Sequence, residues 1–139
     1  MKNILLILIT ISLFACSNDD DIIVTQDKFP LEEYRYNDPE YSNSSIFFFP
    51  KNSSRYVEGK LMGQTEIRGL KGAMSTPIEG FVNDNILTVE STVFILRFKF
   101  HEYSDRYELT YHEAMIKSGA PSGFTLAYLY NMVFIQYKK

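Results

Sequence analysis

The chain is short of the residues that most enzymes and metal proteins use. Its 139 residues include no Trp, one Cys and two His. A single thiol excludes an intramolecular disulfide, and two His fall short of the three or four convergent ligands that a zinc site requires. The G-x-S-x-G nucleophile elbow and a phosphate-binding glycine loop are also missing. We therefore predict a protein with neither catalytic activity nor a cofactor.

Basic charge is also scarce, whereas aromatic residues are abundant. The formal net charge is -3 and no basic stripe occurs, so nucleic acid is not an expected partner. Ten Tyr and eleven Phe favour β-strands. The tyrosines suit core and rim positions of a small β-domain, or stacking on sugars or a protein partner. The lack of Trp counts against carbohydrate binding.

The one long apolar run lies at the N-terminus. Ile4 to Phe14 follows Lys2 and is interrupted only by Thr10 and Ser12. A bilayer-spanning helix takes about 20 residues, so this shorter run is typical of a signal-peptide core. Ala15 and Cys16 follow it.

Leu13-Phe14-Ala15-Cys16 resembles the lipobox of bacterial lipoproteins. The resemblance implies cleavage before Cys16, and acyl chains, palmitate among them, that anchor Cys16 in a membrane. The alternative is an ordinary secreted protein with an incidental cysteine.

The residues after Cys16 suggest a location. Lipoproteins retained in the inner membrane typically carry Asp where this chain has Ser17, so the resemblance implies the outer membrane. Ser17, Asn18, Asp19, Asp20 and Asp21 resemble the acidic export signal of surface-exposed lipoproteins in some Gram-negative bacteria. We expect the domain to face the cell exterior. The alternative is a periplasm-facing lipoprotein with an acidic tether.

These features predict three segments: a signal peptide at 1–15, a lipidated tether at 16–28 and a single domain at 29–139. The signal peptide contains one of the fourteen Lys and Arg and none of the seventeen Asp and Glu, so its removal changes the formal charge to -4.

Period-2 alternation from Val93 to Ile116 predicts the central β-hairpin of the domain, turning at Ser104-Asp105. One face carries the apolar residues Phe94, Leu96, Phe98, Phe100, Leu109 and Tyr111. The predicted cross-strand pairs are Phe100 with Leu109, Phe98 with Tyr111, His101 with Glu108 and Arg97 with His112.

Similar patterns predict further elements. Strands are expected at 31–36, 46–49, 55–62 and 64–68, and a second hairpin at 77–91 with Asp84-Asn85 as its loop. That hairpin would pair Val82 with Leu87, Gly80 with Val89 and, unfavourably, Glu79 with Glu90. Residues 112–118 are expected to form a helical turn. Residues 124–137 read as a strand, although a helical i, i+3, i+4 stripe is the alternative.

The sequence thus predicts an all-β fold: a single antiparallel domain, either a small up-and-down lipocalin-like barrel or a two-sheet sandwich. Two functions fit it: a non-catalytic binding module for an unidentified ligand or partner, or an inhibitor or immunity-type envelope lipoprotein. Arg97, His101, Glu108 and His112 share the polar face and are the candidate ligand-binding residues. An internal cavity would favour small-ligand capture, whereas a filled core with an exposed aromatic patch would favour a protein partner.

Overall fold

The computed structural model describes residues 23–36, 44–69 and 72–139. The predicted signal peptide, Cys16 and the predicted acidic export signal lie outside these residues. The eight strands are β1 (Glu32–Tyr36), β2 (Ser44–Phe48), β3 (Leu61–Gly69), β4 (Gly72–Asn83), β5 (Ile86–Glu90), β6 (Phe94–Glu102), β7 (Arg106–Ile116) and β8 (Val133–Tyr137). Two short 3-10 helices occupy Gln26–Lys28 and Ala127–Asn131.

The strands form a closed antiparallel barrel in which each strand pairs with its neighbours in the sequence. β1 and β8 close the barrel, with Arg35 opposite Ile135. The predicted all-β fold is therefore confirmed, as a barrel consistent with the lipocalin-like alternative and not as a sandwich. Closure pairs the first strand with the last at Arg35 and Ile135 and so reduces the sheet edge open to another chain.

Apolar side chains fill the barrel. β6 shows the alternation that the sequence predicts, because Phe94, Leu96, Phe98 and Phe100 are all buried. The other strands contribute the inward residues Tyr34, Ile46, Phe48, Leu61, Ile67, Ile78, Leu87, Val89, Leu109 and Phe134. Burial of side chains of this size stabilises the fold by about 1.5–3 kcal/mol each.

One end of the barrel, called here the tether end, carries the turns at 84–85 and 104–105 and is covered by the N-terminal segment. The ring of Phe29 lies 5.5 Å from that of Phe48 and 5.4 Å from that of Phe100. Val24 is buried, and its backbone N–H donates to Asn85 Oδ1 at 2.7 Å. Residues 24–28, expected to belong to the tether, thus pack on the barrel.

The opposite end, called the far end, is covered by the segment around the second 3-10 helix. Leu126, Leu129 and Met132 are buried there, and the ring of Phe124 stacks 6.4 Å from that of Phe94. This explains the ambiguity of 124–137. Leu126 and Leu129, which have helical spacing, belong to the cover, and only 133–137 form a strand. The prediction of one long strand over 124–137 is therefore wrong.

The central hairpin has the predicted register near its turn. Phe100 pairs with Leu109, Phe98 with Tyr111 and His101 with Glu108.

The predicted pair of Arg97 with His112 is wrong, because the register shifts between Arg97 and Phe98 and places Arg97 opposite Glu113. His112 is the extra residue of a β-bulge. The bulge reverses the alternation of β7, so that Glu113 is exposed and Ala114 packs against the core. The predicted helical turn at 112–118 is also wrong, since β7 continues to Ile116.

The second hairpin is confirmed, with Val82 opposite Leu87 and Gly80 opposite Val89. Its loop residues have φ angles of 48° (Asp84) and 59° (Asn85), the left-handed conformation that a tight hairpin turn requires.

The unfavourable pair of Glu79 with Glu90 is present. Each carboxylate has a cation of its own: Lys60 lies 3.4 Å from Glu79, and Lys117 lies 2.6 Å from Glu90. These neighbouring positive charges offset the repulsion between the two carboxylates.

The strand predicted at 55–62 is wrong for most of its length. Residues 51–60 form a loop, in which Gly59 has a φ of 73° and the N–H of Lys60 bonds to the carbonyl of Val57. β3 begins only at Leu61 and runs without a break through the strand predicted at 64–68.

Candidate functional site

The four predicted ligand-binding residues lie on the outer wall of the barrel and do not converge. His101 and Glu108 are cross-strand neighbours, whereas Arg97 lies further along β6 beside the bulge at His112. The side chains of Arg97 and Glu113 form an ion pair, and His112 is exposed.

Each member of the His101–Glu108 pair bonds to another residue. His101 Nε2 lies 3.0 Å from Thr110 Oγ1. Glu108 accepts a hydrogen bond of 2.6 Å from Arg106 Nε, and this bond raises the pKa of the Arg106 guanidinium. The predicted face is thus a solvated surface held by local pairs.

The described ranges, residues 23–36, 44–69 and 72–139, contain neither a metal-binding cluster nor a helix that could span a membrane. There, no three His, Cys, Asp or Glu side chains stand close enough together to hold a metal ion. In the same ranges, no helix has the length and apolar character needed to cross a membrane.

Tyr34 is a fully buried tyrosine whose role is structural. Its hydroxyl donates a hydrogen bond of 3.0 Å to the carbonyl of Pro30. Burial, with a smaller contribution from Tyr107, raises the pKa of its phenol above the usual value. The group therefore stays neutral and fixes the N-terminal cover to the wall.

A groove of about 800 Å³ lies on the outer wall where β8, β1 and β2 meet. We call it the seam groove, because it lies over the closure between the first and last strands. Its lining combines rings, aliphatic side chains and charged groups: Glu32, Glu33, Arg35, Tyr36, Phe47, Pro50, Asn52, Val133, Ile135, Gln136, Tyr137 and Lys139.

The strand pairing explains which side chains the groove receives. Glu33 and Phe47 are cross-strand neighbours, and Arg35 is opposite Ile135. Ile135 is in turn opposite Glu108 in β7. The predicted polar face therefore borders the seam groove.

Side-chain bonds hold the closure beside this backbone pair. Gln136 Nε2 donates to the carbonyl of Leu31 at 2.6 Å. Lys139 Nζ lies 2.7 Å from a carboxylate oxygen of Glu32. Glu32 has a φ of 84°, which is strained for a residue with a Cβ.

The charges of the seam groove balance. Arg35 Nε lies 2.7 Å from a carboxylate oxygen of Glu33, and Glu32 and Lys139 form the second pair. Sequence reasoning missed this site because its residues come from both ends of the chain, and no local pattern shows that β1 and β8 are neighbours.

A second exposed feature lies at the far end. Tyr130 is 71% exposed, Met115 53% and Ile116 45%. The ring of Tyr130 lies 5.6 Å from that of Tyr111. Tyr111 itself is half-buried and packs against the core. We call the three exposed residues Tyr130, Met115 and Ile116 the far-end patch.

Comparison of the chain with protein-family models, with curated proteins and with solved structures finds no match.

Proposed function

We propose that this chain is a lipid-anchored outer-membrane lipoprotein facing the cell exterior, and that it acts as a non-catalytic binding module. It recognises its ligand with the outer wall of the barrel.

The proposal that ligand binds to the outer wall rests on one observation: the barrel is filled with side chains and covered at both ends. Its interior holds large apolar side chains, and Phe29 and Leu129 are buried at opposite ends. A small-molecule site is typically a preformed cavity of about 300–1,000 Å³. Here a concavity of that size lies outside, at the seam groove.

The N-terminal cover supports an orientation relative to the membrane. Val24 is fixed to the tether end through Asn85. The chain from Cys16 to Val24 spans at most about 30 Å when fully extended. An anchor at Cys16 therefore holds the tether end toward the lipid and leaves the far end accessible. The seam groove extends to the tether end, where Tyr137 pairs with Arg106 beside the turn at 104–105.

Membrane fractionation of a Cys16→Ala variant tests the anchor. Acyl chains contribute about 0.8 kcal/mol for each buried methylene, so the lipidated protein stays in the membrane. The variant is expected in the soluble fraction, with the thermal midpoint of the folded domain unchanged. A variant that remains in the membrane would refute lipid attachment at Cys16.

Extraction of the purified full-length protein tests the use of the outer wall. Organic extracts analysed by mass spectrometry should contain no stoichiometric small molecule other than membrane lipid removed by detergent. A stoichiometric apolar compound that survives exhaustive detergent exchange would place the binding site inside the barrel.

An inhibitor or immunity-type lipoprotein is the second candidate, and the far-end patch favours it. Exposed aromatic and Met side chains are enriched where proteins meet. On this alternative, Tyr130→Ala combined with Met115→Ala should abolish protection against an attacking protein, whereas Tyr137→Ala should not. Protection that persists in the double variant would exclude the patch.

A further inference from the structure

We infer that the seam groove binds a neutral oligosaccharide. The inference rests on the proposed binding function and adds the class of ligand. It depends on the rings, the ion pairs and the position of the groove.

The rings supply apolar surfaces suited to the C–H faces of sugars. Tyr137 is 69% exposed, and Phe47 also lines the groove. Tyr36 borders the groove as well, but its ring packs on the core, 6.1 Å from that of Phe134. An exposed Tyr ring presents a flat apolar body with a polar hydroxyl at its edge. This combination matches a ligand whose faces are apolar and whose edges carry hydroxyl groups. The Tyr and Phe rings provide these surfaces although the chain has no Trp.

The ion pairs make the groove polar without giving it a net charge. Glu33 pairs with Arg35, and Glu32 pairs with Lys139, each at 2.7 Å. An ionic ligand would compete with one of these pairs for its partner. A hydroxyl group both donates and accepts, so it can bond to a carboxylate and a guanidinium while the pair stays intact. A groove lined by these two intact ion pairs therefore suits neutral polyhydroxylated ligands better than acidic or basic ones.

Position and exposure favour a chain over a single sugar. The groove lies on the open outer wall, and its volume of about 800 Å³ is near the upper end of the usual range for ligand sites. Arg35 is 65% exposed and Lys139 84%. These polar groups can be reached from solvent without opening the barrel.

The test measures binding by full-length protein solubilised in a detergent without a sugar headgroup. The probes are neutral gluco-, manno-, xylo-, galacto- and chito-oligosaccharides of three to six units, oligogalacturonate as an anionic control, and an extended peptide library. At least one neutral oligosaccharide is expected to bind and to be recovered uncleaved. Tyr137→Ala and Arg35→Ala should each weaken binding at least tenfold.

Two variants serve as matched controls. Tyr103→Ala removes an exposed Tyr ring outside the groove lining, and Lys99→Ala removes an exposed cation of β6 that is also outside it. Both should bind like the unchanged protein, and all four variants should keep its thermal midpoint.

The outcomes separate the ligand class from the wider proposal. Binding of no neutral oligosaccharide, tighter binding of the anion or a peptide, or equal losses in the control variants would overturn the inference. If the protein bound a peptide and Tyr137→Ala weakened that binding, the oligosaccharide inference would be overturned. The proposed binding function of the outer wall would still stand. Cleavage of a bound oligosaccharide would support the ligand class and refute a non-catalytic function.

Discussion

Truncation of Phe98 should be far more damaging than truncation of His101, three residues further along the same strand. The Phe98 side chain is fully buried, and its ring meets that of Phe134 edge to face at 5.6 Å. Phe→Ala in a packed core costs about 3–5 kcal/mol, because transfer energy is lost and a cavity remains. His101 is partly exposed and bonds to Thr110, so His101→Ala should cost at most about 1 kcal/mol.

Urea titration followed by circular dichroism or tyrosine fluorescence checks this contrast, since the chain has no Trp. For a small domain, stability falls by about 1–3 kcal/mol per molar urea. Phe98→Ala should thus lower the midpoint by roughly 2 M, or prevent folding altogether. Phe98→Leu, which leaves a smaller cavity, should lie between the two variants. A larger loss for His101→Ala would refute the assignment of inside and outside.

Three further predictions concern backbone strain, proton binding and placement. Because Glu32 has a positive φ, Glu32→Gly should be more stable than Glu32→Ala by about 1 kcal/mol in urea titration. A more stable Ala variant would show that this φ does not strain a residue with a Cβ. The phenol pKa of Tyr34 is raised in the folded state. The contribution of the neutral phenol to the free energy of unfolding is therefore fully present below pH 10, the usual pKa, and is lost as the pH rises further. Tyr34→Phe removes the hydrogen bond to Pro30 and should lower the free energy of unfolding by about 1 kcal/mol at neutral pH. Above pH 10, the stability of this variant should fall less steeply with pH than that of the unchanged protein. An unchanged slope would show that Tyr34 does not cause the loss of stability at high pH. Replacement of Asp19, Asp20 and Asp21 by Ala should reduce protease accessibility on intact cells and leave the thermal midpoint unchanged, whereas unaltered accessibility would show that the acidic run is only a tether.

The central hairpin could be predicted from the sequence because its information is local. Phe98 and Phe100 alternate with charged residues, and a register slip of one residue would expose both rings. The bulge at His112 could not be predicted in this way. It adjusts β7 to the curvature of a closed barrel, and Ala114 occupies an inward position that an unbroken alternation would have given to Glu113.

The covers of the two barrel ends were missed for a related reason. Val24 ends the short apolar run Ile22-Ile23-Val24, and Leu129 lies in a stretch whose apolar residues fit both a strand and a helical stripe. Both become core residues because a barrel end lies beneath them. Their burial is set by tertiary contacts, which outweigh local propensity in short segments.

The seam groove, our proposed binding site, lies on the outer wall, as the polar face of the central hairpin does. Most of its lining lies outside the core, with Tyr36 as an exception. Arg35 and Ile135 are the backbone neighbours that join its two sides. The shape of the groove therefore depends on exposed side-chain bonds such as that between Lys139 and Glu32. Exposed pairs of this kind contribute about 0–1 kcal/mol to stability, whereas the inward rings contribute several times more. On the proposed function, substitutions in the groove should change which ligand is bound while the barrel stays folded, whereas substitutions in the core should lower stability first.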